Sequence, residues 1–189
     1  MVERAGKGQE SGKDSYSRAK LLGVIDYEGD KALLLFYVED WGGYVLPICV
    51  DSSAAFSIRK AIENIDFPRP LTHDLLVNIL EKLDVTVEKV TIDAMINNIY
   101  LATIVLRDNR TGQVFYIDSR PSDATAIAVR VGAPIYIADH LKKYAHPYGT
   151  YIRFLRKLRL ISEKIEDLPE EEEEKEEQEL TTEEETDDQ

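Results

Sequence analysis

The sequence predicts an α+β fold: a mixed, mostly antiparallel sheet built from two three-strand meanders, with helices packed against it. Three observations predict it. Short β-rich runs come in two sets of three, each joined by tight-turn residues; a helical pattern follows each set; and no apolar run is long. The first set is Ala19–Tyr27, Lys31–Glu39 and Tyr44–Val50, turned by Glu28-Gly29-Asp30 and by a loop containing Trp41-Gly42-Gly43. Helical spacing follows over Ser52–Ile65 (Phe56, Ile58, Ile62, Ile65). A second helix runs from Thr72 to about Leu83, with Leu75, Leu76, Ile79, Leu80 and Leu83 expected along one core-facing side.

The second set is Val85–Asp93, Ile99–Arg107 and Gln113–Ser119, broken at Asn97-Asn98 and at Asp108–Gly112. Its middle run, apolar without alternation, reads as a central strand covered on both faces. A helix over Ser122–Val131 is closed by Gly132 with Pro134 close behind, the expected C′ glycine and trailing proline. A short strand Ile135–Ala138, a helix near Asp139–Tyr144 and a last helix over Thr150–Ile161 complete the pattern. That last helix gathers Arg153, Arg156 and Lys157 on one face.

Length suits one domain with tails: 189 residues, divided as an N-terminal tail 1–17, a folded domain 18–162 and an acidic tail 163–189. Both ends are too poor in apolar residues to offset the entropy of ordering. The runs Ala32–Val38 and Ile99–Leu106 fall far short of the ~20 residues of a membrane helix. With no apolar segment at the start to act as a secretory signal, the expected location is the cytoplasm. Cys49 stands alone, which excludes an internal disulfide and a multi-cysteine zinc site, and it reads as a buried thiol. The formal charge of −13 is unevenly held. Residues 163–189 carry 16 acids against Lys164 and Lys175, a net of −14, so the remainder, with 20 acids and 21 bases, stands at +1. A near-neutral domain with local basic patches is compatible with nucleic acid; one uniformly acidic would repel phosphate.

The chemistry concentrates where an Arg-Pro dipeptide precedes a helix, which happens twice: Arg69-Pro70-Leu71-Thr72-His73-Asp74 and Arg120-Pro121-Ser122-Asp123. Thr72 and Ser122 are the expected N-caps, and Leu71 with Leu76 the expected hydrophobic staple. Proline holds the entering chain extended, which presents each arginine beside free N–H groups and the positive end of a helix dipole, a combination that favours phosphate. Asp118 ends the strand before the second helix, on the Val114/Tyr116 side. Arginines for phosphate, carboxylates to orient water or hold a divalent ion, and a histidine to move a proton are the parts a phosphodiester hydrolase needs. Ordinary caps paired with first-turn aspartates are the competing structural explanation. No nucleophile elbow, Walker motif, GxGxxG or Cys/His metal framework is present.

Arg69–Leu76, Ile117-Asp118-Ser119-Arg120-Pro121-Ser122-Asp123-Ala124 and Val131–Tyr136, in that order, resemble the bifunctional nuclease family over about Leu21–Leu141. Ser119 stands where the family usually has alanine. The resemblance implies an α+β domain that cleaves DNA and RNA, with nucleic acid as partner. From the chemistry of the two helix mouths, Arg69, Arg120, Thr72 and Ser122 are expected to bind phosphate. Asp74, Asp118 and Asp123 are expected to form an acidic centre with His73 moving the proton, and Asp118 with Asp123 to hold a divalent metal such as Mg or Mn. The alternative is a non-catalytic module that binds a nucleotide or phosphorylated ligand and regulates a partner. A third reading, suggested by how easily sheet edges pair, is a purely structural assembly module, a homo-oligomer.

Overall fold

The computed structural model describes residues 15–27, 29–65 and 67–149. The expected last helix with its basic face, the acidic tail and most of the N-terminal tail lie outside those residues. Eight strands form one mixed sheet: β1 (Tyr16–Tyr27), β2 (Lys31–Val38), β3 (Tyr44–Asp51), β4 (Val85–Ile96), β5 (Ile99–Asp108), β6 (Val114–Ser119), β7 (Ile135–Ala138) and β8 (His146–Pro147). Three α-helices, α1 (Ser52–Ile62), α2 (Thr72–Lys82) and α3 (Pro121–Val131), accompany it among the described residues, with 3-10 turns at Glu39–Trp41 and Asp139–Tyr144. The strand order is β6-β5-β4-β7-β1-β2-β3-β8.

The two expected meanders, β1-β2-β3 and β4-β5-β6, are each antiparallel throughout. Strand β7 joins them, parallel to β4 and antiparallel to β1, which makes the sheet mixed. Tyr16 and Ser17, assigned to the tail by composition, belong to β1, where Tyr16 pairs with Ala138 and Ser17 with Ile137. The turn at Asn97-Asn98 has φ of 51° and 61°, the doubly left-handed geometry that suits the twist of a two-residue hairpin and that asparagine tolerates.

Strand alternation divides the sheet into two faces. Leu34 and Phe36 of β2, Val90 and Ile92 of β4 and Ala102 and Ile104 of β5 point to the helices and are buried with Ala55, Ile58, Val77 and Ile127 in the main core. Leu33, Leu35 and Tyr37 point the other way; Leu35 is buried with Ile25, Val45 and Tyr148 in a second, smaller cluster. Helix α3 is the central one, and its Ala124, Ala126 and Ala128 let it pack against α1, α2, β4 and β5. It ends at Gly132, left-handed at φ 69°, as expected of a C′ glycine.

Three expectations about packing fail. Strand β5 is next to the edge, with Ile99 64% exposed, so it is not covered on both faces. Cys49 is exposed, because it belongs to the β3 residues that point away from the helices. In α2 only Val77 and Leu80 meet the core, while Leu75, Leu76, Ile79 and Leu83 are exposed. The cause is polar. His73 and Asp74 bond to groups of α1 and α3, which fixes the rotation of the helix and turns its larger apolar stripe outward.

Candidate active site at the mouth of the third helix

Helix α3 begins directly after Arg120, which is itself the N-cap and makes no side-chain cap bond, with Pro121 at the first helical position. Ser122 is therefore a buried first-turn residue and not the cap. Thr72 is likewise the first residue of α2, since Leu71 is the N-cap and so cannot serve as N′ of a hydrophobic staple. Asp74 reaches back to the Leu71 amide at 2.8 Å, half of a capping box.

A continuous polar chain links the three helices. Arg120 grips Asp123 with two bonds, Nε to Oδ2 at 2.8 Å and Nη2 to Oδ1 at 3.1 Å. His73 Nε2 lies 3.1 Å from Asp123 Oδ1, and its Nδ1 lies 2.9 Å from Ser57 Oγ. Arg130 Nη2 donates to Ser57 Oγ at 3.0 Å and to the Ser57 carbonyl at 3.1 Å. The Ser57 hydroxyl proton is then free for His73 Nδ1, so the ring of a neutral His73 carries its own proton on Nε2, facing Asp123. Arg130 Nε also donates to Asp74 Oδ1 at 2.7 Å, and Lys60 Nζ to Asp74 Oδ2 at 2.5 Å.

The two ends of this chain differ in exposure. Lys60 and Arg130 side chains are 10% and 7% exposed, whereas the Arg120 side chain is 68% exposed. Burial pushes the Asp74 carboxyl up, but the bonds from Lys60, Arg130 and the Leu71 amide outweigh it and hold the group well below the usual carboxylate range. Asp123 follows the same balance: burial raises it, and Arg120 and His73 together lower it further. The bonds that Arg120 donates to Asp123, with the charge of that carboxylate, in turn raise the Arg120 guanidinium.

Arg120, Pro121 and Ser122 line an open cavity of about 510 Å³ together with Asp30, Lys31 and Asp51 and with the β4–β5 turn. Asp51 caps α1 through a 2.8 Å bond from the Ala54 amide, so the starts of α1 and α3 open onto one space. Hydrogen bonds from the Ser53 side chain and the Ala54 backbone, with the Arg120 charge, hold Asp51 below the usual range as well.

The structure thus brings together His73, Asp123, Arg120 and Ser122, and ties Asp74 to them through Arg130 and Ser57. It does not bring in Asp118. That residue pairs with Thr103, and its neighbours Ile117 and Ser119 pair with the helix-facing Ile104 and Ala102. Asp118 therefore points to the opposite face of the sheet, the side on which Thr103, Asp93 and Tyr116 line a different cavity. The expected Asp118/Asp123 metal pair is not assembled, both Asp123 oxygens are engaged by Arg120 and His73, and the described residues contain no group of three or more His, Cys, Asp or Glu able to hold a metal. The donor set does not fit a divalent ion at this position. Arg69 is exposed and makes no hydrogen bond or ion pair among the described residues.

Ser57, Lys60 and Arg130 join the site without having been singled out in the sequence. Arg130 did carry a signal, a lone charge between Val129 and Val131 at the end of a helix otherwise made of small and apolar residues after its first turn. Ser57 and Lys60 carried none.

Residues 34–147 match the bifunctional nuclease domain model. An uncharacterized protein of Mycobacterium tuberculosis is 30% identical over 120 residues, 64% of this chain and 70% of its own length. Bifunctional nuclease 1 and bifunctional nuclease 2 of Arabidopsis thaliana are 29% and 28% identical over 117 residues, 61% of this chain. This chain spans only about a third of those plant proteins, 36% and 35% of their lengths. No helix among the described residues is long and apolar enough to cross a membrane. With the family model covering well over half of its residues, and the two Arg-Pro helix starts falling inside the match, the chain belongs to the bifunctional nuclease domain family.

Proposed function

We propose that this protein hydrolyses phosphodiester bonds of DNA and RNA at the start of α3. The observation that carries the proposal is the bonded chain that joins Arg120 and Asp123 at the start of α3 to His73 of α2, beside a cavity onto which two helix N-termini open. Family membership and the names of the plant relatives supply the substrate class. A phosphate in the cavity would meet Arg120, the uncapped first-turn amides of α3 and the positive end of its dipole.

Asp123 is the group that orients water. Its Oδ1 accepts from Arg120 and His73, and among the described residues its Oδ2 accepts only from Arg120, which leaves acceptor capacity on Oδ2 for a water. Because Arg120 is largely exposed, it can turn toward an incoming phosphate and free that oxygen further. The water attacks phosphorus as Asp123 takes its proton; the bond to the leaving oxygen breaks, and that oxygen is protonated from solvent. His73 has both ring nitrogens engaged, so it acts by holding Asp123 in place, and Ser57 with Arg130 holds His73. Arg69 adds a second phosphate contact from the start of α2.

The test is incubation of the pure protein with single- and double-stranded DNA and RNA oligonucleotides, with magnesium and with chelator, beside Arg120→Ala prepared identically. Cleavage by the wild type and weaker binding with slower turnover in Arg120→Ala is the expected result. Phosphate or nucleotide binding without cleavage in every condition would replace the nuclease with a regulatory binding module.

A further inference from the structure

Helix α2 has two apolar sides, and only one is buried. Val77 and Leu80 face the core, while Leu75, Ile79 and Leu83, spaced four apart with Leu76 beside them, form a stripe on the side away from it. The rotation that exposes this stripe is fixed by the ion pairs and hydrogen bonds of His73 and Asp74, so the helix cannot roll to bury it. Phe67 and Phe56 are a separate exposed pair before α2: their rings meet edge to face at 5.9 Å, and Lys60, which lies over Phe67 and bonds Asp74, ties the pair to the first turn of α2.

We propose that this face is covered by a second copy of the chain, with the two α2 helices packed antiparallel about a two-fold axis at Ile79. Three features select that occupant. The stripe is symmetric about Ile79, so an antiparallel partner sets Leu75 against Leu83 and Leu83 against Leu75, the self-complementarity that a two-fold interface requires. It offers a compact apolar centre: Leu75, Leu76, Ile79 and Leu83, each 39–53% exposed, leave roughly 350 Å² of apolar surface, a size that fits the core of the ~800 Å² per partner in an ordinary homodimer. Asn78 and Lys82 supply a polar border along one side of the stripe.

Sedimentation equilibrium or light scattering of the full chain should give twice 21.5 kDa, falling toward 21.5 kDa on dilution. Ile79→Glu should give 21.5 kDa at the same concentration with unchanged circular dichroism, since Ile79 is outside the core. In a Cys49→Ser background, Ile79→Cys should form a disulfide-linked dimer under mild oxidation, a result that does not depend on the folding of Ile79→Glu. A wild-type chain that stays at monomer mass at every concentration would overturn the proposal. So would an oligomer in which Ile79→Cys does not cross-link.

Discussion

Replacing Asp74 with asparagine should be among the most damaging changes to this protein, and the damage should be to stability. Among the described residues Asp74 is the one carboxylate between Lys60 and Arg130, whose side chains are 10% and 7% exposed, and its oxygens accept from both cations and from the Leu71 amide. Asparagine keeps the size and one acceptor oxygen but leaves two nearly buried positive charges facing each other. Breaking a buried pair of this kind costs about 3–5 kcal/mol, and the retained oxygen together with the remaining bonds of Arg130 to Ala126 and Ser57 favours the lower end, about 3 kcal/mol. In a chain of this size that is a fall of roughly 10 °C in melting temperature. Thermal and urea unfolding followed by circular dichroism would measure it. Adding Lys60→Met to Asp74→Asn should restore part of the loss, because one of the stranded cations is gone, and the double-mutant cycle reads that coupling directly. A loss under about 0.5 kcal/mol for Asp74→Asn would show that water reaches and screens the cluster, and would refute its role in fixing the rotation of α2.

Three further outcomes follow from the same structure. Since the Asp74 carboxyl is held well below its unfolded value of about 3.9, its contribution is fully present above that pH and is lost as pH falls toward the folded value; unfolding free energies of wild type and Asp74→Asn should therefore converge on acidification below about pH 4. Gly132→Ala should cost about 1 kcal/mol, measured by urea unfolding, because φ is 69° and an added Cβ meets nothing within 4 Å, leaving backbone strain as the sole effect. Removing residues 168–189 should tighten binding of a fluorescent oligonucleotide, most at low salt, because that segment, with 13 acids against Lys175 and a net charge of −12, competes with phosphate for the domain's cations.

Local chemistry was legible in the sequence and long-range pairing was not. Gly132 followed by Pro134 marked the end of α3, and Asn97-Asn98 marked a tight turn, because each depends on dihedral preferences of the residues themselves. The insertion of β7 between the two meanders was not readable, since a four-residue apolar run does not say which strands it joins. Asp118 shows the limit most clearly. Alternation placed it with Val114 and Tyr116, as found, but which side of the sheet the helices cover is decided by packing far away in sequence. The same holds for α2: five apolar residues suggested one buried face, and a histidine and an aspartate bonding to other helices decided otherwise. At the site, Arg120, Asp123 and His73 were found because helix starts carry a sequence signature, and the partners Ser57 and Lys60 were not because contact across helices carries none.

The rate of oligonucleotide hydrolysis by Asp123→Asn, measured beside its melting temperature, tests the central claim most directly. Asparagine preserves the size of the side chain and one acceptor for Arg120 and His73, and it removes the charge that, in the proposed mechanism, takes a proton from water. The exposed Arg120–Asp123 pair contributes only about 0–1 kcal/mol to folding, so the melting temperature should move by no more than a few degrees. Hydrolysis should fall by about 10²-fold or more. Folded Asp123→Asn protein that cleaves at the wild-type rate would contradict the account, and would leave Asp123 as no more than a first-turn partner of Arg120.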